Sequence, residues 1–274
     1  MNSPDQFLLA DVQAQFDVRK IHIDCVGVKG VRYPLTIRSA ALTVPVIATL
    51  AMSVGLAASV KGTHMSRFIE LLEAQTVALD QLGFLSMTRN MLERLVAQSG
   101  AIEMRFPYFV KKIAPVSNVQ SLLDVDVCWR ASISASGKSD FRMQVIVPAT
   151  SLCPCSKEIS AYGAHNQRSH ISIEVSLAEE MAIEELIAIA ERNASCEVYG
   201  LLKRADEKYV TERAYDNPKF VEDLVRDVAL SLRQEHRIGA YIVEAENFES
   251  IHNHSAFARI VSTPDAATQS GCTG

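Results

Sequence analysis

The 274-residue chain lacks the marks of a fibrous, disordered or disulfide-stapled protein. Its 12 Gly and 9 Pro, set against 48% hydrophobic and 22% charged residues, exclude a collagen-like or wholly disordered chain. Six Cys over this length are too dilute for the disulfide framework of a small secreted domain. A basic excess is also missing. Lys and Arg number 27 against 32 Asp and Glu, a net charge of −5, so the cationic field that neutralises nucleic-acid phosphates or anionic membranes is not there. Neither nucleic acid nor membrane is an expected partner. A small anion still is, because a few placed cations can hold one inside an acidic protein. The start, MNSPDQFLLADVQ, has no basic n-region and no apolar run of the roughly 7–15 residues a secretory signal needs. A reducing cytoplasmic compartment is expected.

One stretch tests the membrane exclusion. Ala40 to Val60, AALTVPVIATLAMSVGLAASV, runs 21 residues without a charge, long enough to span a bilayer. Its interior reads otherwise. Leu50, Met52, Val54 and Leu56 alternate with Thr49, Ala51, Ser53 and Gly55, the two-residue period of a half-buried strand, and Pro45 would interrupt a helical turn.

That period recurs along the chain. Ile21, Ile23 and Cys25 share one face, and Gly27 and Gly30 suggest a turn into the long apolar run, giving two antiparallel strands. Phe68, Ile69, Leu71 and Leu72 suit a helix broken at Gly83, and Met91, Leu92, Leu95 and Val96 suit a second ending near Gly100. Strands return at Ile102 to Val110 and Leu123 to Trp129. In the second half Phe141 to Val147 and Ile171 to Leu177 alternate. Ser176-Leu177-Ala178-Glu179 reads as a capping box before Ile183, Leu186, Ile187 and Ala190, and Asn217-Pro218 as an N-cap and first helical residue before Val221, Leu224, Val225, Val228 and Leu232. Tyr241 to Ala245 and Ala256 to Ile260 close the chain as strands. The fold class expected is α+β, two units of strand, strand, helix, helix, strand, strand, each an antiparallel four-stranded sheet with two helices on one face. The units are placed at residues 1–136 and 137–261, with a flexible tail at 262–274. Sheet edges left open by such units favour edge-to-edge oligomers.

Reactive residues gather between the second pair of strands. A hairpin loop needs about 2–5 residues, yet Pro148 to Ser169 takes 22: PATSLCPCSKEISAYGAHNQRS. Cys153 and Cys155, one residue apart, cannot form a relaxed disulfide and are too close for an ordinary zinc pair. One ligand and one free thiol is the better fit, and His165 could fold back to the same ion in its neutral form; small buried Cys residues are the plainer alternative. Arg204-Ala205-Asp206-Glu207-Lys208 is a charge run in which spacing does not single out Glu207. Glu222 sits beside an apolar helical stripe and could simply pair with Arg226. His252 and His254 share a turn. Lys61, His64 and Arg67 cluster at a helix N-terminus, where free N–H groups attract phosphate, although capping by Thr63 or Ser66 would use the same end.

Four segments carry a family resemblance: KGTHMSRF (Lys61 to Phe68), SLCPCSKEIS (Ser151 to Ser160), GAHNQRSH (Gly163 to His170) and YDNPKFVEDLVRDVA (Tyr215 to Ala229). With them, almost to Val261, the chain resembles the prokaryotic type IB GTP cyclohydrolases, which convert GTP and water to 7,8-dihydroneopterin triphosphate and formate for folate synthesis. The resemblance implies tandem tunnelling-fold (T-fold) units in a homotetramer with sites at subunit interfaces. It implies a divalent metal held by Cys153, His165 and Glu207, with His252 a further ligand, and Zn²⁺ or Mn²⁺, or Fe²⁺, as the ion. Glu222 matches the position that anchors guanine. Cys155 and His254 are then candidates for proton transfer beside Cys153 and His165, and Lys61, His64 and Arg67 for holding the triphosphate. Two other readings compete: a nitrile reductase of the same general fold with a Cys nucleophile and NADPH, and a non-enzymatic thiol or metal sensor.

Overall fold

The structure is a computed structural model that describes residue 13 and residues 15–263. In chain order, the first half holds β1 (Ile23–Ser39), β2 (Leu42–Leu56), α1 (Ser66–Glu73), α2 (Gln81–Leu95), β3 (Gly100–Ile113) and β4 (Gln120–Ile133). The second half holds β5 (Ser139–Leu152), α3 (Pro154–Ile159), β6 (Asn166–Leu177), α4 (Ile183–Asn193), β7 (Cys196–Glu197), α5 (Arg204–Asp216), α6 (Val221–Arg233), β8 (Ile238–Phe248) and β9 (Ser255–Ser262).

The strands form one antiparallel sheet in the order β1-β2-β3-β4-β5-β6-β8-β9, with β7 added beside β5. Two separate four-stranded sheets were expected; instead β4 and β5 pair from Asp126–Ile146 to Ile133–Ser139, so the halves share one ladder. The turn between them is closed by Ser134 N donating to Lys138 O at 3.0 Å. Trp129 on β4 seals this seam, edge-on to Phe84, Phe106 and Phe141 with ring centroids 5.6–5.8 Å away, the geometry aromatic pairs prefer.

The charge-free run is β2, as its alternation predicts, and among the described residues no helix is long and apolar enough to cross a membrane. Helix α2 packs over β3, β4 and β5, α4 over β5 and β6, and α6 over β8 and β9. The stripes read on α4 (Ile183, Leu186, Ile187 and Ala190) and α6 (Val221, Leu224, Val225, Val228 and Leu232) are buried throughout; α1 buries Phe68, Leu71 and Leu72 but leaves Ile69 exposed, and α2 buries Met91 and Leu92 but ends at Leu95, with Val96 exposed beyond it.

Several boundaries differ from expectation, each for a local reason. No turn forms at Gly27 or Gly30: β1 runs through both, bulging between Val28 and Val31. Gly27 is there because a Cβ would meet Met52 O at 1.9 Å. Gly83 does not break a helix. It is the third residue of α2, where its N–H donates to the capping Asp80 carboxylate at 2.7 Å. The Ser176–Glu179 capping box is not used, because β6 continues to Leu177 and α4 starts at Ile183, where the Glu185 carboxylate accepts from Ala182 N at 3.0 Å. Asn217 and Pro218 do not start α6. Asn217 ends α5, and α6 begins at Val221. Ala194 caps the end of α4, and Cys196 and Glu197 follow as the short strand β7. The tail expected from Ser262 lies mostly outside the described residues, and Ser262 itself closes β9.

Helix α5 is the element that hydrophobic periodicity could not show. It buries only Asp206 and Ala214. Its N-terminus is held by polar contacts: the Asp206 carboxylate accepts from Val116 N, Ser117 N and Lys203 N at 2.8 Å each and from the Ser117 hydroxyl at 2.5 Å. Burial alone would raise this carboxyl. The donors outweigh burial and hold it well below the usual carboxylate range.

A carboxylate with a depressed folded pKa contributes stability that is present above its unfolded value and lost on acidification. Asp206→Asn should therefore lower the thermal midpoint at neutral pH and shrink the further drop on going below about pH 4. Equal acid sensitivity in variant and parent, measured by thermal unfolding across pH, would contradict this.

Candidate functional site

Pairing of β5 with β6 extends well into the supposed loop. Pro148 pairs with His170, and the ladder ends at Leu152–Asn166, so the connection shrinks to residues 153–165. Its first residue is Cys153 and its last is His165. The register alone brings these two, twelve positions apart in sequence, to the same end of the hairpin. Pro154 starts α3 directly after Cys153, a position proline favours because its missing N–H is not needed there. Cys153 is half-buried, whereas Cys155, inside α3, is exposed, so the two thiols occupy different environments. Gly163, at φ +105°, supplies a backbone conformation that L side chains rarely adopt as the connection returns.

A cavity of about 710 Å³ opens at this end, between the connection, the start of α6 and the β8–β9 turn. Cys153, Cys155, His165, Glu222, His252 and His254 all line it. The Ser250 hydroxyl lies 2.8 Å from His165 Nδ1, which leaves Nε2 as the nitrogen available to another partner. His252 and His254 stack, ring centroids 5.1 Å apart and 14° between planes. Glu222 does not pair with Arg226; Arg226 is taken by Asp223 at 3.2 Å. The Glu222 carboxylate therefore stands at the cavity wall.

The remaining predicted residues lie elsewhere in the chain. Glu207 is exposed in the first turn of α5, outside this cavity. His64 and Arg67 line a second cavity of about 480 Å³ beside the end of β2. Lys61 donates to Gln15 Oε1 at 2.9 Å, and Arg67 donates to Arg94 O at 2.9 Å. α1 has no side-chain cap, so neither Thr63 nor Ser66 serves as one.

The donors at the hairpin end suit a divalent cation by type, a thiol sulfur and an imidazole nitrogen with carboxylates nearby. Among the described residues, however, no three His, Cys, Asp or Glu side chains stand close enough together to hold one ion. Cys128 and Cys196 take no part: burial pushes each thiol up to about 11, so both stay protonated at neutral pH.

The position of Cys153 is set from behind. Leu152 N donates to Ser195 Oγ at 3.3 Å, and Lys219 N donates to Leu152 O at 3.2 Å. Asn217 Nδ2 in turn donates to Ala194 O and Ser195 O at 3.0 and 3.3 Å. The three segments 152, 194–195 and 217–219 are thus tied together around the residue before Cys153.

Sequence reasoning passed over Gln167, Lys219, Asn247 and Glu249, which also line the cavity. A signal for two of them was present. Gln167 and Ser169 continue the inward period of Ile171, Ile173 and Val175 on β6, and Asn247 continues that of Tyr241, Val243 and Ala245 on β8. Polar residues at inward positions mark where the apolar core stops.

Comparison with known proteins gives the following. The family model described as type I GTP cyclohydrolase folE2 matches residues 9–258. GTP cyclohydrolase FolE2 1 of Dechloromonas aromatica (strain RCB) is 60% identical over 262 residues, 95% of this chain and 98% of that protein. GTP cyclohydrolase FolE2 of Janthinobacterium sp. (strain Marseille) is 61% identical over 262 residues, 95% and 97% respectively. Among solved structures, uricase from Arthrobacter globiformis superposes with a TM-score of 0.51 at 8% identity, over 91% of this chain and 95% of that one. Urate oxidase from Bacillus subtilis 168 gives 0.50 at 8% identity, over 88% and 99%. At such identities the likeness to the oxidases concerns the fold alone.

Asn217→Ala should cost about 1–3 kcal/mol, the range for leaving buried carbonyls without a donor, because it frees Ala194 O and Ser195 O together. Chemical denaturation measures this. A change within about 0.5 kcal/mol, the range of an ordinary surface substitution, would show that Asn217 does not tie the segments behind Cys153.

Proposed function

Since the chain belongs to the type I GTP cyclohydrolase folE2 family and is a GTP cyclohydrolase of folate biosynthesis, we propose that it opens the purine ring in the cavity between the 153–165 connection and the start of α6. The carrying observation is that this cavity gathers Cys153, Cys155, His165, Glu222, His252 and His254 from three separated stretches of chain. Its 710 Å³ lies within the roughly 300–1,000 Å³ range of small-molecule sites. As a family member the chain is a hydrolase, which sets aside the nitrile-reductase and sensor readings. We assign it to the type IB form, converting GTP and water to 7,8-dihydroneopterin triphosphate and formate.

In this reading the Glu222 carboxylate accepts hydrogen bonds from the guanine N1–H and exocyclic amine, a bidentate arrangement that fixes the base. Cys153 and His165 hold a divalent metal, with Glu207 and His252 as candidate further ligands. Zn²⁺ and Mn²⁺, or Fe²⁺, suit this mixed donor set. When bound, the cation supplies a Lewis acid that activates water at neutral pH. Cys155 and His254, both exposed at the mouth, pass protons during ring opening and reclosure.

Glu207 and the Lys61, His64 and Arg67 cluster stand away from the cavity within one chain, which supports sites shared between subunits. The sheet has the edges such an assembly uses: among the described residues β9 pairs with β8 alone, and β1 meets, besides β2, a bridge from Ile37 to Leu79. On the face away from the helices Ile47 and Phe109 are 59% and 51% exposed. We propose a cytoplasmic homotetramer of tandem T-fold units, with residues 1–136 supplying β1 to β4, 137–261 supplying most active-site residues, and 262–274 a tail.

Metal-loaded protein should convert GTP to a fluorescent pterin with release of formate; failure of both products across Zn²⁺, Mn²⁺ and Fe²⁺ rejects the reading. Cys153→Ala should abolish turnover and lower the metal content. Glu222→Ala should keep its metal while weakening GTP binding on the order of 100-fold, the equivalent of about 3 kcal/mol for a charge-assisted pair. Metal loss in that variant would show that base and metal sites are not divided as assigned.

A further inference from the structure

Lys219 makes two contacts that point in different directions. Its backbone N–H donates to Leu152 O at 3.2 Å, at the last rung of β5 before Cys153. Its ammonium group donates to Asp227 Oδ2 at 2.7 Å, in the second turn of α6. The stem between them lines the cavity, with only 16% of the side chain exposed. Holding a lysine stem still costs side-chain entropy, so surface lysines are ordinarily free. This one is held at both ends.

Both anchors are themselves fixed. Leu152 closes the β5–β6 ladder opposite Asn166, and its N–H donates to the Ser195 hydroxyl at 3.3 Å. Helix α6 is seated by Val221, Leu224, Val225 and Val228, and the turn holding Asp227 is tied to α4. There the Ser231 hydroxyl donates to Asp227 O at 3.1 Å, and Asn193 Nδ2 donates to Ser231 Oγ at 2.9 Å. Only residues 217–220 join α5 to α6. Pro218 has no N–H to give them, and Lys219 is the residue whose contacts reach both sides. The sheet end leads into Cys153, and the first turn of α6 carries Glu222. One side chain and its own peptide group therefore span the gap between the thiol and the carboxylate.

Resting on the cyclohydrolase reading, we propose that Lys219, through Asp227, is a positioning residue that sets the separation of Cys153 and Glu222. A guanine held by its N1–H and amine edge on Glu222 presents C8 from the opposite side of the base. The distance from that carboxylate to the thiol then decides whether C8 meets the reacting groups. A misplacement of about an ångström leaves binding nearly intact and slows the reaction. The ammonium group itself does not touch the substrate, because Asp227 holds it.

The test compares Lys219→Met, which keeps the stem and removes the charge, with Asp227→Ala, which removes the acceptor from a helical position that alanine suits. Each should lower kcat for GTP on the order of 10–100-fold, with KM within about threefold and metal content unchanged. The double variant should be no slower than the worse single one, and Asp227→Glu, which returns a carboxylate to the lysine, should keep kcat within about threefold of wild type. Hydrogen exchange, which needs no turnover, should be faster over residues 217–222 in both single variants. A direct contact of Lys219 with the triphosphate would instead raise KM in Lys219→Met and leave Asp227→Ala at the wild-type rate or above it. That pattern, additive losses, an unchanged kcat, or unchanged exchange over 217–222 overturns the proposal. A wild-type protein that turns over no GTP rejects the cyclohydrolase reading, and the positioning role with it, whatever the exchange shows.

Discussion

The site depends on how far β5 and β6 stay paired. Antiparallel pairing places residues opposite one another by register alone, and here the ladder runs unbroken to Leu152–Asn166. Ending one pair earlier would leave Cys153 and His165 on separate flexible strand ends. Ending where it does, the rigid sheet delivers one thiol and one imidazole to a single mouth, and only the 153–165 connection is left to irregular backbone. Precision of this kind comes more readily from strands than from loops, because ladder hydrogen bonds fix every residue up to the edge. The Ser195, Asn217 and Lys219 contacts brace the last rung of that ladder, at Leu152, from behind.

A second principle is the change from apolar to polar along inward-facing positions. On β6 the buried series runs Val175, Ile173, Ile171 and then Ser169, Gln167; on β8 it runs Tyr241, Val243, Ala245 and then Asn247. The apolar part is covered by α4 and α6. Toward the cavity end the buried positions become hydrogen-bonding ones. The Ser169 hydroxyl links two of its neighbours, 2.7 Å from Asn247 Oδ1 and 2.7 Å from Ser151 Oγ on β5. Gln167 is held by Glu249 through its Nε2, and its Oε1 is enclosed without a partner among the described residues.

Much of this was legible in the residues, for identifiable reasons. The period of two marked the strands because each has one face against helices, and the 3.6 period marked α1, α4 and α6 because each buries a stripe. Helix α5 was missed because its anchor is the Asp206 carboxylate and not an apolar face. The turn misplaced at Gly27 and Gly30 shows the other limit. Glycine marks close backbone approach and bulges as well as turns, and at Gly27 the deciding contact is with Met52 of another strand, which no local window contains. Asn217 was read as an N-cap by the same kind of local rule, whereas its amide spends both hydrogens on carbonyls more than twenty residues away.

Charge connects the cavity to the proposed assembly. The end that would hold the base carries the Glu222 and Glu249 carboxylates, suited to N–H and O–H donors and repulsive toward phosphate. Lys219 is the basic residue among those lining it, and its ammonium group is engaged by Asp227 at 2.7 Å. A nucleoside triphosphate bound there by one chain alone would point its charge at a wall with little to offset it. Lys61 and Arg67, with His64, stand instead beside β2 in the other half of the chain, and half the sheet separates them from β6. The geometric way to bring such a cluster to the phosphate end of a nucleotide held by Glu222, without refolding either half, is to take it from a second copy. Opposite ends of one substrate would then be bound by different subunits, and assembly would be a condition for binding GTP at all.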